Sequence, residues 1–459
     1  MWDLKTIDVE KPLYLAIADA VERDMRAGIL LPGERMPTHR ELAKIVGVTV
    51  TTATRAYREA ERRGLLTAIV GNGTFVTSDR GGGTSLSHGE SIAEKYLELG
   101  LAVPPYAIEA DLRAVLDGVI RKADLQALMR YIPPEGLPQH RQVGVAWAGR
   151  FGIRADAEDI VIAAGANNAL ACLFMSIFEP GDRVAVDCLT YPGVKSLARR
   201  CGVRLEGVAM DEGGMLPDAL ESLCRRHKIR GVHTVGRMHN PTNAAMSAQR
   251  RGEIAEVIRR NDLLLIEDDI YGFLADEADG TLTPLIPENS LYIAGLAKAF
   301  CAGLRVGFVV VPPRYRSAFS LAVADTMWMA SPLCVEAACE IITTGAADKV
   351  IAARKTEIAA RAAVAKDILR GHEFAYADHS MFLWLRLPEY WYGDAFEEAA
   401  RADGVNVVSA GKFIVGSAPL PNCVRVSLTA TADLTELGKG LNILLRLLES
   451  KRGGGARIL

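Results

Sequence analysis

Leu263-Leu264-Leu265-Ile266-Glu267-Asp268-Asp269-Ile270-Tyr271 is the stretch that decides the fold. Its apolar run is short and unbroken, which reads as a strand buried on both faces of a parallel sheet. Asp268 stands at the carboxyl end of that strand, where open α/β sheets bind their ligands. Alternation along the strand points Glu267 and Asp269 away from Asp268. Tyr271, three positions on, can aim its hydroxyl at the same ligand.

Similar runs recur on both sides of this one. Strands are predicted at Ile160–Ala164, Arg183–Asp187, Arg204–Val208, Gly231–Val235, Leu291–Ala294 and Val306–Val311, with helical stretches between them. Strands that alternate with helices make a mostly parallel α/β sheet. After Pro332 long helical stretches bracket the strands Met381–Leu387, Val405–Val408 and Val424–Leu428, so a smaller α+β domain is expected from about 333 to 459. The tail with Gly453-Gly454-Gly455 is expected to be disordered.

Several polar residues fall where these strands end. Lys298 lies in Gly295-Leu296-Ala297-Lys298-Ala299-Phe300, and apolar neighbours on both sides disfavour its ammonium. Desolvation would leave that amine nucleophilic. Gly165-Ala166-Asn167 opens a helix, whose first N–H groups suit a phosphate, and Arg305 could add a bidentate contact. Tyr191 follows another strand and offers a stacking ring. Asn240, before Pro241, offers a donor. Arg425 is a charge inside the apolar strand Val424-Arg425-Val426 and needs an anion, either a ligand carboxylate or a structural partner. A lysine for a Schiff base, an acid for a pyridinium nitrogen, phosphate donors and a stacking ring are the parts that pyridoxal 5'-phosphate (PLP) requires.

The first 78 residues read differently. Leu13, Ile17, Val21 and Met25 mark one helix face. Thr38-His39-Arg40-Glu41 has capping-box form, with Leu42, Ile45 and Val46 expected inward. A second short helix starts near Thr49 and is expected to bury Ala53, Ala56, Tyr57 and Ala60. Leu65–Val70 and Thr74–Thr77 read as strands joined across Asn72-Gly73. Helices followed by a hairpin make a winged helix-turn-helix, whose second helix enters the major groove. Candidate DNA contacts are Arg40 on the preceding helix, Thr49, Val50, Thr51, Thr52, Thr54 and Arg55 on the reading helix, and Gly71, Asn72 and Gly73 at the wing tip. Between Arg40 and Arg63 six basic side chains face three acidic ones, a modest stripe for phosphates. Residues 79–94, with Gly81-Gly82-Gly83, read as a linker, and 95–459 as the second domain.

Composition fits this division. A chain of 459 residues exceeds one small core. Its net charge of −3 gives no nucleic-acid signal for the molecule as a whole. The eight cysteines form no Cys-x-x-Cys pair and read as reduced thiols, so no metal site is expected. No signal peptide and no apolar run of spanning length appear, so a cytoplasmic location without membrane contact is expected.

Residues 8–78 resemble the winged-helix domain of the GntR superfamily. The resemblance rests on Leu31-Pro32-Gly33-Glu34-Arg35, Arg40-Glu41-Leu42-Ala43, Gly47-Val48-Thr49, Ala56-Tyr57 and Gly71-Asn72-Gly73-Thr74-Phe75-Val76. Val50 stands where that family usually has arginine. Residues from about 95 to 450 look like a fold-type-I PLP enzyme of the class I/II aminotransferase group. That resemblance implies Lys298 as the Schiff-base lysine, Asp268 as the pyridinium partner, and Tyr271 and Asn240 as ligands of the phenolic oxygen. It further implies Arg305 at the phosphate, Tyr191 stacked on the ring and Arg425 at an α-carboxylate. Tyr131 resembles the tyrosine that reaches the partner subunit's phosphate, which implies a homodimer. The fusion resembles the MocR type of GntR regulators. The implied function is a transcriptional regulator of double-stranded DNA that senses PLP, or an amino compound joined to it at Lys298. The alternatives are a working aminotransferase that carries a DNA-binding domain, and a regulator that has lost PLP. Ala164, Gly295 and Ala297 replace hydroxyl residues common in the family's phosphate cup. Each lost bond to a charged group costs about 1.5–3 kcal/mol, so reduced cofactor affinity is expected. Asn243 replaces a glycine, which asparagine tolerates because it can adopt the left-handed conformation.

Overall fold

The computed structural model describes residues 11–26, 29–30, 34–62, 65–69, 73–76, 96–275, 280–416 and 420–450. The chain divides into two compact units, one within residues 1–87 and the other within 88–416 and 421–459. The expected linker and the glycine-rich tail lie outside the described residues.

The first unit has helices Leu13–Arg26, His39–Val46 and Val50–Arg62, then the antiparallel strands Leu66–Ile69 and Gly73–Val76. Thr38 and Glu41 form the expected capping box. Ala53, Ala56, Tyr57 and Ala60 are buried, and the Tyr57 hydroxyl donates to the Pro37 carbonyl at 2.7 Å. One inward assignment needs correction. Leu42 and Ala43 are the buried pair of the middle helix, while Ile45 is exposed, because it falls off their face in the last turn. Leu13 opens the first helix and is exposed as well. The hairpin also differs from expectation. Gly73 pairs with Ile69 as the first residue of its strand, so it is not a turn residue. Gly71 and Asn72 lie outside the described residues.

The second unit is built on a seven-stranded sheet. Its order across is Ile160–Ala163, Gly307–Val310, Ser290–Gly295, Leu264–Asp268, Ile229–Thr234, Arg183–Asp187, Arg204–Val208. Gly307–Val310 runs antiparallel to both neighbours and every other pair is parallel. Both faces are covered by apolar side chains, which is why the strands read as continuous runs. The carboxyl ends of the parallel strands therefore share one edge, and the antiparallel strand begins there.

A smaller antiparallel sheet holds Phe374–Ala375, Phe382–Arg386, Cys423–Ser427 and Val408–Ser409. Leu97–Glu98 reaches across to pair with Val405–Asn406. The expected start of this part, near 333, precedes the change of core. Helix Pro332–Thr343 packs in the large core, with Val335, Ala338 and Ile341 buried there. The changeover falls within helix Ala346–Ile368: Ile351 and Ile358 belong to the large core, Ala362 and Ala365 to the small one. All eight cysteines are free. Among the described residues no single helix is long and apolar enough to cross a membrane, and no acidic, histidine or cysteine group could hold a metal.

Candidate functional site

Five loops at the shared edge of the large sheet carry the polar residues singled out above, and the loop between Ser290–Gly295 and Gly307–Val310 carries both Lys298 and Arg305. Asp268 ends its strand and is buried. Its neighbours do point elsewhere. Glu267 accepts from the backbone of Leu282 and Thr283 at 2.8 Å each, and Asp269 pairs with Arg237 and accepts from Tyr292 at 2.6 Å. Asp268 Oδ1 has no hydrogen-bond partner among the described residues. Its Oδ2 stands 3.7 Å from Nε2 of His233, a buried side chain on the adjacent strand.

Lys298 follows the strand Ser290–Gly295 and donates from Nζ to the Ala102 carbonyl. Burial, then Arg425, then Arg305 pull its pKa down to about 8. Arg425, on the small sheet, is buried between the rings of Phe413 and Phe382 at 5.0 and 5.5 Å. It donates to Asn240 Oδ1 at 2.7 Å and to the Gly100 carbonyl at 2.5 Å. Its Nε finds no partner among the described residues, and burial lowers its pKa. Tyr271 is buried with its ring edge against Phe382. Burial raises the pKa of Tyr271 and of Tyr191; Asp268 adds to both shifts and Arg425 opposes them. Arg425 thus bears on Lys298 and on both tyrosines, Arg305 on Lys298 and Tyr191, and Asp268 on both tyrosines.

The helix Ala166–Ser176 points its amino end at the same edge. Gly165 caps it with φ 80° and ψ 170°, a conformation essentially confined to glycine, and no side chain caps it. Asn167 is exposed, while Asn168 turns back to accept from the Ala164 backbone at 3.0 Å. Arg305, itself in the left-handed region, donates to the Ala164 carbonyl at 3.3 Å. A Cβ on Gly165 would stand 2.9 Å from Arg305 Nη2, and one on Gly307 would stand 3.2 Å from the Gly165 backbone. Gly165→Ala is therefore expected to cost on the order of 1–3 kcal/mol and to move the Arg305 guanidinium. A urea midpoint equal to that of the wild type would contradict this.

Tyr131 does not join the group. It is 79% exposed and its ring lies 5.3 Å from that of Trp328, itself 61% exposed. Other features gave no signal in the sequence. His233 sits alone in an apolar strand. The segment Gly100–Val103 lends its carbonyls to Arg425, Lys298 and Thr429 Oγ1. Asn243 does adopt φ +63°, and it also donates to the Phe382 carbonyl at 3.0 Å and accepts from Ser380, tying the site loop to the small sheet.

In the first unit, Arg40, Val50 and Thr51 are exposed. Thr49 accepts from the Thr52 backbone at 3.2 Å and so caps the reading helix. Thr54 donates to the Val50 carbonyl at 2.9 Å, and Arg55 lies over the Tyr14 ring at 4.3 Å.

Known proteins place both units. The family described as "Aminotransferase class I and II" matches residues 94–444, and "Bacterial regulatory proteins, gntR family" matches residues 13–76. The HTH-type transcriptional regulator YdeF of Bacillus subtilis is 32% identical over 98% of this chain and 97% of its own length. The HTH-type pyridoxine biosynthesis transcriptional regulator PdxR of Corynebacterium glutamicum is 24% identical over 64% of this chain and 65% of its own. An archaeal alanine:glyoxylate aminotransferase superposes with a TM-score of 0.72 at 22% identity, over 79% of this chain and 96% of its own. LysN, the α-aminoadipate aminotransferase of Thermus thermophilus, gives 0.71 at 22%, over 78% and 93%. At such identities the structures establish the fold alone. The chain belongs to the MocR-type regulators, in which a gntR-family DNA-binding domain is fused to an aminotransferase class I and II domain.

Proposed function

We propose that this regulator holds PLP at Lys298 and responds to an amino compound carrying a carboxylate by changing its affinity for operator DNA. The observation that carries the reading is the pair of buried polar atoms left over around Lys298. Asp268 Oδ1 and Arg425 Nε have no partner among the described residues, and one suits a pyridinium N–H while the other suits a carboxylate. The donor set fits PLP. Lys298 would hold the carbonyl end and Asp268 the ring nitrogen. Tyr271 and Asn240 would face the phenolic oxygen, with Tyr191 against the ring. Arg305 and the backbone of Gly165, Ala166 and Asn167 would hold the phosphate. Bound PLP supplies an electrophilic carbonyl and a ring that withdraws electrons.

This chain's own residues then do three things. Asp268 keeps a proton on the ring nitrogen. The lowered pKa of Lys298 leaves a larger share of its amine neutral at physiological pH. Arg425 orients a carboxylate, and the aromatic rings beside it exclude water. A second copy of the chain is expected to bring its own Tyr131 to the phosphate, as part of a homodimer. The exposed apolar side chains of Met129, Tyr131, Met175, Leu321 and Trp328 support that arrangement.

On DNA, Arg40 is expected to bond phosphate, with Val50, Thr51, Thr52 and Arg55 near base edges and Gly73 in the wing. Arg40→Ala should weaken binding evenly across sequences and lower the salt slope by about one. Titrations of an in vitro selected operator at several salt concentrations check this; a change confined to one base position would contradict it. The regulatory reading is tested by the same titration with PLP and a panel of amino acids. A severalfold shift in affinity is expected. Unchanged affinity with PLP bound would refute the coupling, and sustained turnover with 2-oxoglutarate would favour a working aminotransferase.

A further inference from the structure

Helix Ala346–Ile368 carries two fully buried arginines, seven residues and two turns apart on one face. Arg361 donates to the carbonyls of Leu428 and Thr431 at 3.1 Å each and to Glu357 at 2.7 Å. It fastens the chain just beyond the Arg425 strand. Arg354 has a different set of partners. Its Nε donates to the Ile108 carbonyl at 2.9 Å, its Nη1 to the Lys298 carbonyl at 2.5 Å and its Nη2 to the Phe300 carbonyl at 2.5 Å. All three bonds go to backbone, and two go to the turn that bears Lys298.

Arg354 forms no ion pair among the described residues; a guanidinium buried in that way is expensive, and apolar residues of similar size are often as good for stability alone. What Arg354 provides is a planar fork that holds three carbonyls in one geometry, which a single ammonium cannot match. Burial lowers its pKa only to about 10, so it keeps its charge at neutral pH. The other side of the turn is fixed by the N–H groups of Ala299 and Phe300, which both donate to the Leu296 carbonyl, at 3.1 and 2.9 Å. With its own carbonyl held by Arg354, Lys298 has little backbone freedom left. Its side chain leaves the turn in one direction, toward the space shared with Arg305 and Arg425.

We infer that Arg354 is the positioning residue for Lys298: it clamps the turn and so sets where Nζ stands in the site. The inference rests on the reading of Lys298 as the reactive amine. The arginine acts through geometry and not through its field, because burial, Arg425 and Arg305 account for the lowered basicity of Lys298 and Arg354 is not among the causes. A lysine at 354 would keep the charge and lose the fork. Arg354→Lys should therefore behave like Arg354→Gln.

The test uses the full-length protein without cofactor. An amine-reactive acylating reagent is applied across a pH series, and modification of Lys298 is followed by peptide mass spectrometry. In the wild type the midpoint should lie near 8. In Arg354→Lys and Arg354→Gln it should move by about one unit or more toward the ordinary lysine value of about 10.4. Arg361→Lys, with the same burial on the same helix, should lower the melting temperature and leave the Lys298 midpoint in place. A folded Arg354→Lys or Arg354→Gln with a wild-type midpoint would overturn the inference and leave Arg354 a merely structural residue. A wild type that labels like an ordinary lysine would instead defeat the reactive-amine reading, and this inference with it.

Discussion

Lys298→Ala is expected to keep operator binding and lose every response to PLP and to amino compounds. The winged helix is a separate compact unit with its own buried core, so removing an amine from the second unit leaves its reading helix intact. The second unit loses the only part of the site that can hold a carbonyl covalently. The wild-type response should also depend on pH in a defined sense. Below a pKa of about 8 the neutral amine falls tenfold per unit, so capture of PLP should weaken from pH 8 toward pH 6 and level off above 8. The same shift bears on stability. The folded value lies below the unfolded one of about 10.4, so the charged form is disfavoured in the fold. That penalty is fully present below pH 8 and is relieved as pH rises from 8 to 10.4. A Lys298→Ala protein that still changes its operator affinity with amino acids would show that the sensor lies elsewhere.

Arg425→Lys should separate cofactor from effector. PLP capture relies on Lys298, Asp268 and the helix end at Gly165, all on the large sheet, and should survive. Carboxylate-bearing compounds should lose about 10–100-fold in affinity, since a bond to a charged group is worth about 1.5–3 kcal/mol and the planar fork is gone. Amines without a carboxylate should be unaffected. The measurement is the concentration of each compound that gives half of the spectral change. Equal losses for both kinds of amine would mean that Arg425 supports the fold of the site and not its selectivity. Its bonds to Asn240 and Gly100 make that comparison necessary.

How much of this could be read beforehand depended on how local the cause was. The large-sheet strands were legible because burial on both faces writes an unbroken apolar run, as at Leu264–Asp268. Strand ends then ranked the polar residues, and Asp268, Lys298, Asn240, Tyr191, Gly165 and Arg305 emerge from one edge because parallel strands end together. The capping box at Thr38 was legible from four consecutive residues. Long-range facts were not. Helix Pro332–Thr343 has the same amphipathic writing whichever core it serves, so the boundary near 333 missed the change of core by more than a helix. Ile45 carries the hydrophobicity of a core residue, but the helix ends before another turn could bury it. The local bonds of Thr49, Thr52 and Thr54, to one another and to the Val50 carbonyl, are likewise set by the folded helix start and leave these threonines candidates for DNA contact. His233 and Arg354 meet residues 35 to 246 positions away in the chain, which no local pattern records.

The most direct test is the visible absorption spectrum of the purified protein with and without added PLP, beside that of Lys298→Ala. The account predicts a PLP-dependent visible band in the wild type that the variant lacks and that amino acids with a carboxylate displace. A wild type that shows no such band at saturating PLP would contradict it, and the search for the effector would then have to start from the winged helix alone.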